Sequence, residues 1–170
     1  MNGDNPLTSI EHLERSIKKA FSMKITDNFI ITQKNLPLGC SSYVFSINSL
    51  KEVYKSYITK KNDTGFIYFF TKTKLCRTYY IESEEKIAKF KNARLTVDYI
   101  EDIKLIKIIF NNFKNKTYFS INELISFLKK NPKLLDINKS LDKEYWNRTK
   151  KKAKLRYRLN EEIIDINISN

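Results

Sequence analysis

The chain has 170 residues, enough for one domain with a substantial core, and its 41% apolar and 13% aromatic content describes a folded chain rather than a disordered one. With 32 Lys and Arg against 19 Asp and Glu the net charge is +13, which points to polyanionic partners such as nucleotides, nucleic acid or an anionic membrane surface. Two cysteines without a partner motif and a single histidine argue against a zinc site, a disulfide framework and histidine-based nucleophilic catalysis.

In chain order, the first feature is GDNPL at residues 3–7, where an acidic residue sits between Gly and Pro just ahead of a helix start. Thr8 and Glu11 have the spacing of a capping box, and Ile10, Leu13, Ile17 and Phe21 form an apolar stripe, so a helix is expected over about 9–23. NFIIT at 28–32 and SYVFS at 42–46 read as strands. Ser46 caps a helix over about 47–57, with Phe45 and Leu50 as its hydrophobic staple. The run DTGFIYFFTK fits either a short helix capped by Asp63 or Thr64 or a buried strand, and helix is the preferred reading.

RTYYIE at 77–82 and RLTV at 94–97 are the next expected strands, and a helix over about 99–113 carries Ile103, Ile106, Phe110 and Phe113 on one face. In FSINELISFL, Ser120 and Glu123 make a capping box, Phe119 and Leu124 a staple, and Asn131-Pro132 a stop. Strands alternating with helices predict an α/β fold. The longest apolar run, FIYFF at 66–70, is too short to span a bilayer, and no segment resembles a signal peptide, so a cytoplasmic location is expected.

Composition changes near residue 139. The stretch KEYWNRTKKKAKLRYR at 143–158 holds eight basic residues and one acidic. Two readings fit it. Tyr145, Trp146 and Tyr157 could stack bases while the cations grip phosphates, making a non-catalytic polyanion- or nucleic-acid-binding module. Alternatively a solvated helix lies on the domain through Trp146, Leu155 and Leu159. The division expected is a domain over 1–138 and a basic, helical extension over 139–170.

Two carboxylates stand out. In open α/β sheets ligands gather at the carboxyl ends of strands; Asp98 follows RLTV, and an acidic residue between Gly and Pro ahead of a helix start usually ends a buried strand, so Asp4 and Asp98 together could hold a hard cation. Asp98 with Glu101 also has capping-box spacing, and Asp4 could simply secure the loop before Pro6.

Four segments, in order, resemble the cytidylyltransferases that activate acidic sugars, including the spore-coat polysaccharide and acylneuraminate types. GDNPLTSIEHLERSI is similar to their TGDCPL-D segment, and LPLGCSSYVFSINSL to P-x-G-L-D-V-E-V-F-S-x-x-x-L. ARLTVDYIEDIKLIKIIF is similar to R-x-T-V-D-T-P-E-D-L-x-L-I, and FSINELISFLKKNPKLLDIN to the closing F-S-x-x-E-(V/I)-x-x-x-L-x-x-x-P-x-L-x-x-x-N. The likeness spans about residues 2–138.

The resemblance implies a partial nucleotide-diphospho-sugar transferase-like, Rossmann-like sheet with flanking helices, lacking the N-terminal nucleotide-binding half. In the family that half precedes the GDxP segment and carries the triphosphate loop. With only three glycines here, no such loop is visible. The chain therefore reads as a truncated, C-terminal portion, inactive alone, that self-associates or is completed by a separate N-terminal polypeptide.

The implied chemistry is nucleotidyl transfer for surface polysaccharide biosynthesis: the anomeric hydroxyl of an acidic sugar attacks the α-phosphate of CTP and pyrophosphate leaves. Carried over by position, Asp4 and Asp98 would be the catalytic pair that binds Mg²⁺, and Arg94 would either pair with an anionic substrate group or form a surface salt bridge. Glu101 and Asp102 read as helix-start residues. Where the family has Asp and Glu in its G-L-D-V-E-V-F block, this chain has Ser41 and Tyr43, and the family's Glu-His pair is missing from the stretch 61–67. Sugar recognition is therefore expected to differ.

Overall fold

A computed structural model describes residues 3–24, 26–59, 65–152 and 154–167, with the backbone alone at 150–152. Helix α1 (Ile10–Phe21) starts one residue later than the capping-box reading placed it. Ser9, not Thr8, is the cap, its hydroxyl accepting the His12 N–H. Thr8 instead donates its hydroxyl to the Asn5 carbonyl at 2.9 Å and closes the turn that carries Asp4. Glu11, freed from the box, accepts the Ile121 N–H.

Strand β1 (Phe29–Lys34) is the centre of a three-stranded mixed sheet. β2 (Tyr43–Phe45) pairs with it antiparallel and β3 (Arg77–Glu82) parallel. The unbroken apolar run Phe29, Ile30 and Ile31 is buried throughout, as a strand covered on both faces requires. Helix α2 (Ile47–Ser56) is capped by Ser46 as expected. The ambiguous aromatic run is helical over α3 (Tyr68–Thr71), with Phe69 and Phe70 fully buried. Its expected caps, Asp63 and Thr64, lie outside the described residues.

Beyond β3 come α4 (Glu85–Ala88), α5 (Ile100–Asn112), α6 (Ile121–Lys130) and a 3₁₀ turn over Pro132–Ile137. The box of α6 forms as predicted, Ser120 and Glu123 each bonding the other's backbone N–H. For α5 the cap is Tyr99 rather than Asp98, and the residue that returns to its N–H is Asp102 rather than Glu101, at 3.0 Å.

Two expectations are corrected. RLTV is not a strand: Leu38 and Arg94 make one isolated parallel bridge, the chain bends at Thr96, and Val97 turns its N–H to the Asp4 carbonyl instead of continuing the ladder. Among the described residues the basic extension is helical only over α7 (Leu141–Lys152). It continues as a hairpin of β4 (Lys154–Leu159) and β5 (Glu162–Asn167). In KLRYRL the apolar residues alternate with cations, a period of two that puts Leu155 and Tyr157 inward and Arg156 and Arg158 outward.

The apolar interior has two parts. One gathers Leu36, Leu95 and Cys40 with the inner faces of α5 and α6. The other joins Ile30 of the sheet to Val53, Phe69, Phe70 and Cys76, and takes Leu155 and Tyr157 from the hairpin. Tyr57 bridges directly to Tyr157, so the tail is built into the second core. Both cysteines are free and buried.

Gly39 sets how closely the two chain segments beside the first core approach. Its φ is +95°, and a Cβ there would overlap the Leu95 carbonyl. Gly39→Ala is therefore expected to destabilise the fold by about 2–3 kcal/mol, read as a lower urea midpoint; an unchanged midpoint would mean that this approach is not tight.

Candidate functional site

Asp98 stands on a buried ionic knot. Arg94, whose side chain is 1% exposed, donates from Nε and a terminal nitrogen to the two oxygens of Asp102 at 3.0 and 2.9 Å. The same terminal nitrogen reaches Asp98 Oδ2 at 2.7 Å. Asp102 also accepts the backbone N–H groups of Asp98 and Tyr99, and so joins the ion pair to the start of α5. Asn138, at the end of the 3₁₀ turn, donates to Asp102 Oδ1 at 2.8 Å and to the Arg94 carbonyl at 2.9 Å. Burial by itself would raise the Asp102 carboxyl's pKa. The hydrogen bonds from Arg94, from the Asp98 backbone and from Asn138 outweigh that and hold it below the usual carboxylate value.

A cavity of about 300 Å³ opens beside the knot. Asp4 and Asp98 both line it, and the two segments that carry them are joined where Val97 N–H and the Thr96 hydroxyl meet the Asp4 carbonyl at 2.9 and 3.2 Å. Ser41 and Tyr43 line the same space, at the two positions where the resembled family has carboxylates. Tyr68 closes it from α3, and α7 contributes Tyr145, Trp146 and Arg148. The basic helix α7 forms part of the lining.

Arg148 reaches Asp98 Oδ1 at 3.3 Å. Its guanidinium also lies 5.3 Å from the Tyr99 ring centroid and 5.7 Å from that of Tyr145, within cation–π range. Burial raises the pKa of the Tyr43 and Tyr68 phenols, and burial followed by the nearby Asp98 charge raises that of Tyr145. All three therefore stay protonated near neutral pH and offer the cavity hydroxyl groups rather than bases.

As donors, the carboxylates of Asp4 and Asp98 are hard oxygen groups lining one cavity. Two carboxylates suit an ion such as Mg²⁺, which keeps several waters and takes further oxygens from a substrate phosphate. They do not suit a fully protein-ligated centre: among the described residues no group of three or more His, Cys, Asp or Glu could hold a metal.

Sequence reasoning named Asp4, Asp98 and Arg94, and the structure brings all three to one neighbourhood. Asp4 and Asp98 line the cavity, whereas Arg94 is buried behind Asp98 with its charge committed to two aspartates. The surface salt bridge considered for Arg94 is thus an interior one. Sequence reasoning missed Tyr68 and did not single out Arg148 among the cations of 143–158, because nothing local to 68 or 141–152 signals which face of the domain those helices cover; Tyr145 and Trp146, named there as stacking candidates, do line the cavity. Tyr157, read as a base-stacking candidate, is buried in the second core.

Removing Arg94 would leave Asp102 buried without its cation. Arg94→Met is expected to cost about 3–5 kcal/mol of folding stability in chemical denaturation. In the wild type the contribution of Asp102 is complete above the unfolded aspartate pKa of about 4 and is lost as the pH falls towards and through the depressed folded value. Stability should fall on that acid side, and Arg94→Met should flatten the fall; equal acid slopes in the two proteins would contradict the assignment.

Among known proteins the chain is similar to an uncharacterized protein of Methanocaldococcus jannaschii, 32% identical over 142 residues, which cover 83% of this chain and 56% of that relative. It is also similar to the spore coat polysaccharide biosynthesis protein SpsF of Bacillus subtilis, 27% identical over 141 residues, 78% of this chain and 54% of that protein. The chain thus spans about half the length of the curated relatives it matches. No protein-family profile matches the chain, and no solved structure does so.

Proposed function

We propose that the chain is the C-terminal portion of a cytidylyltransferase-like nucleotidyltransferase that activates an acidic sugar, with Asp4 and Asp98 as its metal-binding pair. The observation that carries this reading is the convergence of Asp4, Asp98, Ser41 and Tyr43, drawn from three separate resembling segments, on one cavity. The distant likeness to SpsF adds support for a nucleotidyltransferase in polysaccharide biosynthesis.

In this reading the chain's residues position and neutralise charge rather than form covalent bonds. Arg94 and Asp102 hold Asp98 so that Oδ1 faces the cavity. The turn closed by Thr8 and Thr96 presents Asp4 beside it. A bound Mg²⁺ would screen phosphate charge and lower the pKa of the attacking sugar hydroxyl. Tyr43 and Ser41, in place of carboxylates, alter the wall on which the resembled family recognises its substrate. The triphosphate loop is supplied by polypeptide outside these residues, and β3, which pairs only with β1 among the described residues, offers an edge for that half or for a second copy.

The test is pyrophosphate release from CTP and an acidic sugar with Mg²⁺, using the chain together with a polypeptide that supplies the triphosphate loop. Asp98→Asn is expected to reduce turnover at least about a hundredfold, as loss of a group that stabilises transferring phosphate does. Undiminished turnover in that variant would overturn the reading.

A further inference from the structure

We propose that Arg148, from the C-terminal helix, is the anion anchor of this cavity and takes a phosphate or carboxylate oxygen of the ligand in exchange for Asp98. The inference rests on the reading above for the role of Asp98, but the anchor itself rests on the geometry of α7. The likeness to cytidylyltransferases ends near residue 138, so the helix that carries Arg148 lies beyond it.

The two oxygens of Asp98 are held unequally. Oδ2 is bound at 2.7 Å by Arg94, which is buried and also fastened to Asp102. Oδ1 is held at 3.3 Å by Arg148, whose side chain is 43% exposed. A short, buried, charge-assisted bond is kept, and a long, half-exposed one is given up readily. Oδ1 is therefore the oxygen that can turn to an incoming cation, and Arg148 is the partner it releases.

Once released, Arg148 stays in place. The rings of Tyr99 and Tyr145 flank its guanidinium, and α7 is fixed to the fold through the hairpin that follows it. A guanidinium carries five N–H donors in a planar fork suited to phosphate and carboxylate oxygens, and a single carboxylate oxygen uses few of them. Around it Tyr43, Tyr68, Tyr145 and Trp146 give the cavity aromatic surface suited to a sugar or base ring. Ser41 and Tyr43, where the resembled family has carboxylates, add no negative charge to the lining. Charge balance agrees: Arg94 and Arg148 cancel Asp98 and Asp102, and Asp4 leaves one negative charge, so a bound divalent cation makes the site net positive and favours an oxyanion beside it. The ligand class is a ring compound bearing a phosphate or carboxylate.

Trp146 is the sole tryptophan and lines the cavity, so its fluorescence reports occupancy of the full chain. With CMP as the phosphate probe and glucuronate as the carboxylate probe, at least one should change the Trp146 signal, and which one responds identifies the source of the oxyanion. Arg148→Gln should weaken that binding about tenfold or more, and Arg148→Lys should recover part of it. Inorganic sulfate should displace the bound probe in the wild type, a measurement that needs no variant. With Mg²⁺ alone, Arg148→Gln should bind more tightly than the wild type, because a competing cation has gone. No response to either probe, equal affinity in Arg148→Gln, or no displacement by sulfate would overturn the anchor. Anion binding that depends on Arg148 in a protein indifferent to Mg²⁺ would instead sink the metal pair and leave the anchor standing.

Discussion

The buried contact of Arg94 with Asp102 is the constraint on which the rest of the site depends. Burying a guanidinium is costly unless its charge is met and its donors are used. Here two carboxylates meet the charge through Nε and one terminal nitrogen, while the other terminal nitrogen is buried without a hydrogen-bond partner among the described residues, and the remaining acceptor capacity of Asp102 is taken by two backbone N–H groups and the Asn138 amide. One interaction therefore ties together the extended segment before α5, the first turn of α5 and the end of the 3₁₀ turn. Asp98 is held from below and left with one oxygen towards the cavity.

The same arrangement explains why the four resembling segments matter together. Arg94, Asp98 and Asp102 come from one of them and Asn138 from another, 36 residues beyond Asp102. Asp4 comes from the first, Gly39 and Tyr43 from the second. Gly39 allows its segment to lie directly against Leu95, which brings Ser41 and Tyr43 to the cavity that Asp4 and Asp98 also line. The segments are distant in sequence, yet they meet through backbone contacts that tolerate little change in side-chain size.

The basic tail has a different character in the fold than in the sequence. Its sequence suggested either a polyanion grip or a solvated helix laid on the domain through Trp146, Leu155 and Leu159, and Leu155 and Leu159 do pack on the second core, though from a strand. Its apolar residues, Leu155 and Tyr157, complete the second core, and its helix walls the cavity with Tyr145, Trp146 and Arg148. The helical reading of 139–170 carries one period across both KEYW and KLRYRL, whereas KLRYRL alternates with the period of a strand. The change of period between them marks the turn from helix to hairpin, but the run of lysines over 150–152 obscures it.

The sequence by itself determined most local elements: the caps at Ser46 and Ser120, the strands around 29–34 and 77–82, and the two helices whose apolar faces pack the first core. These are set by hydrogen bonds and periodicities within a few residues, which is why they can be read without a fold. It also singled out Asp4, Asp98 and Arg94. Only the tertiary structure decided that Arg94 is interior support, that Thr8 closes a turn while Ser9 caps α1, and that RLTV ends as a single bridge. It alone placed Arg148 against Asp98, 50 residues away. Those outcomes depend on which buried charges and backbone groups find partners across the chain, and that competition is resolved only when all the segments are packed together.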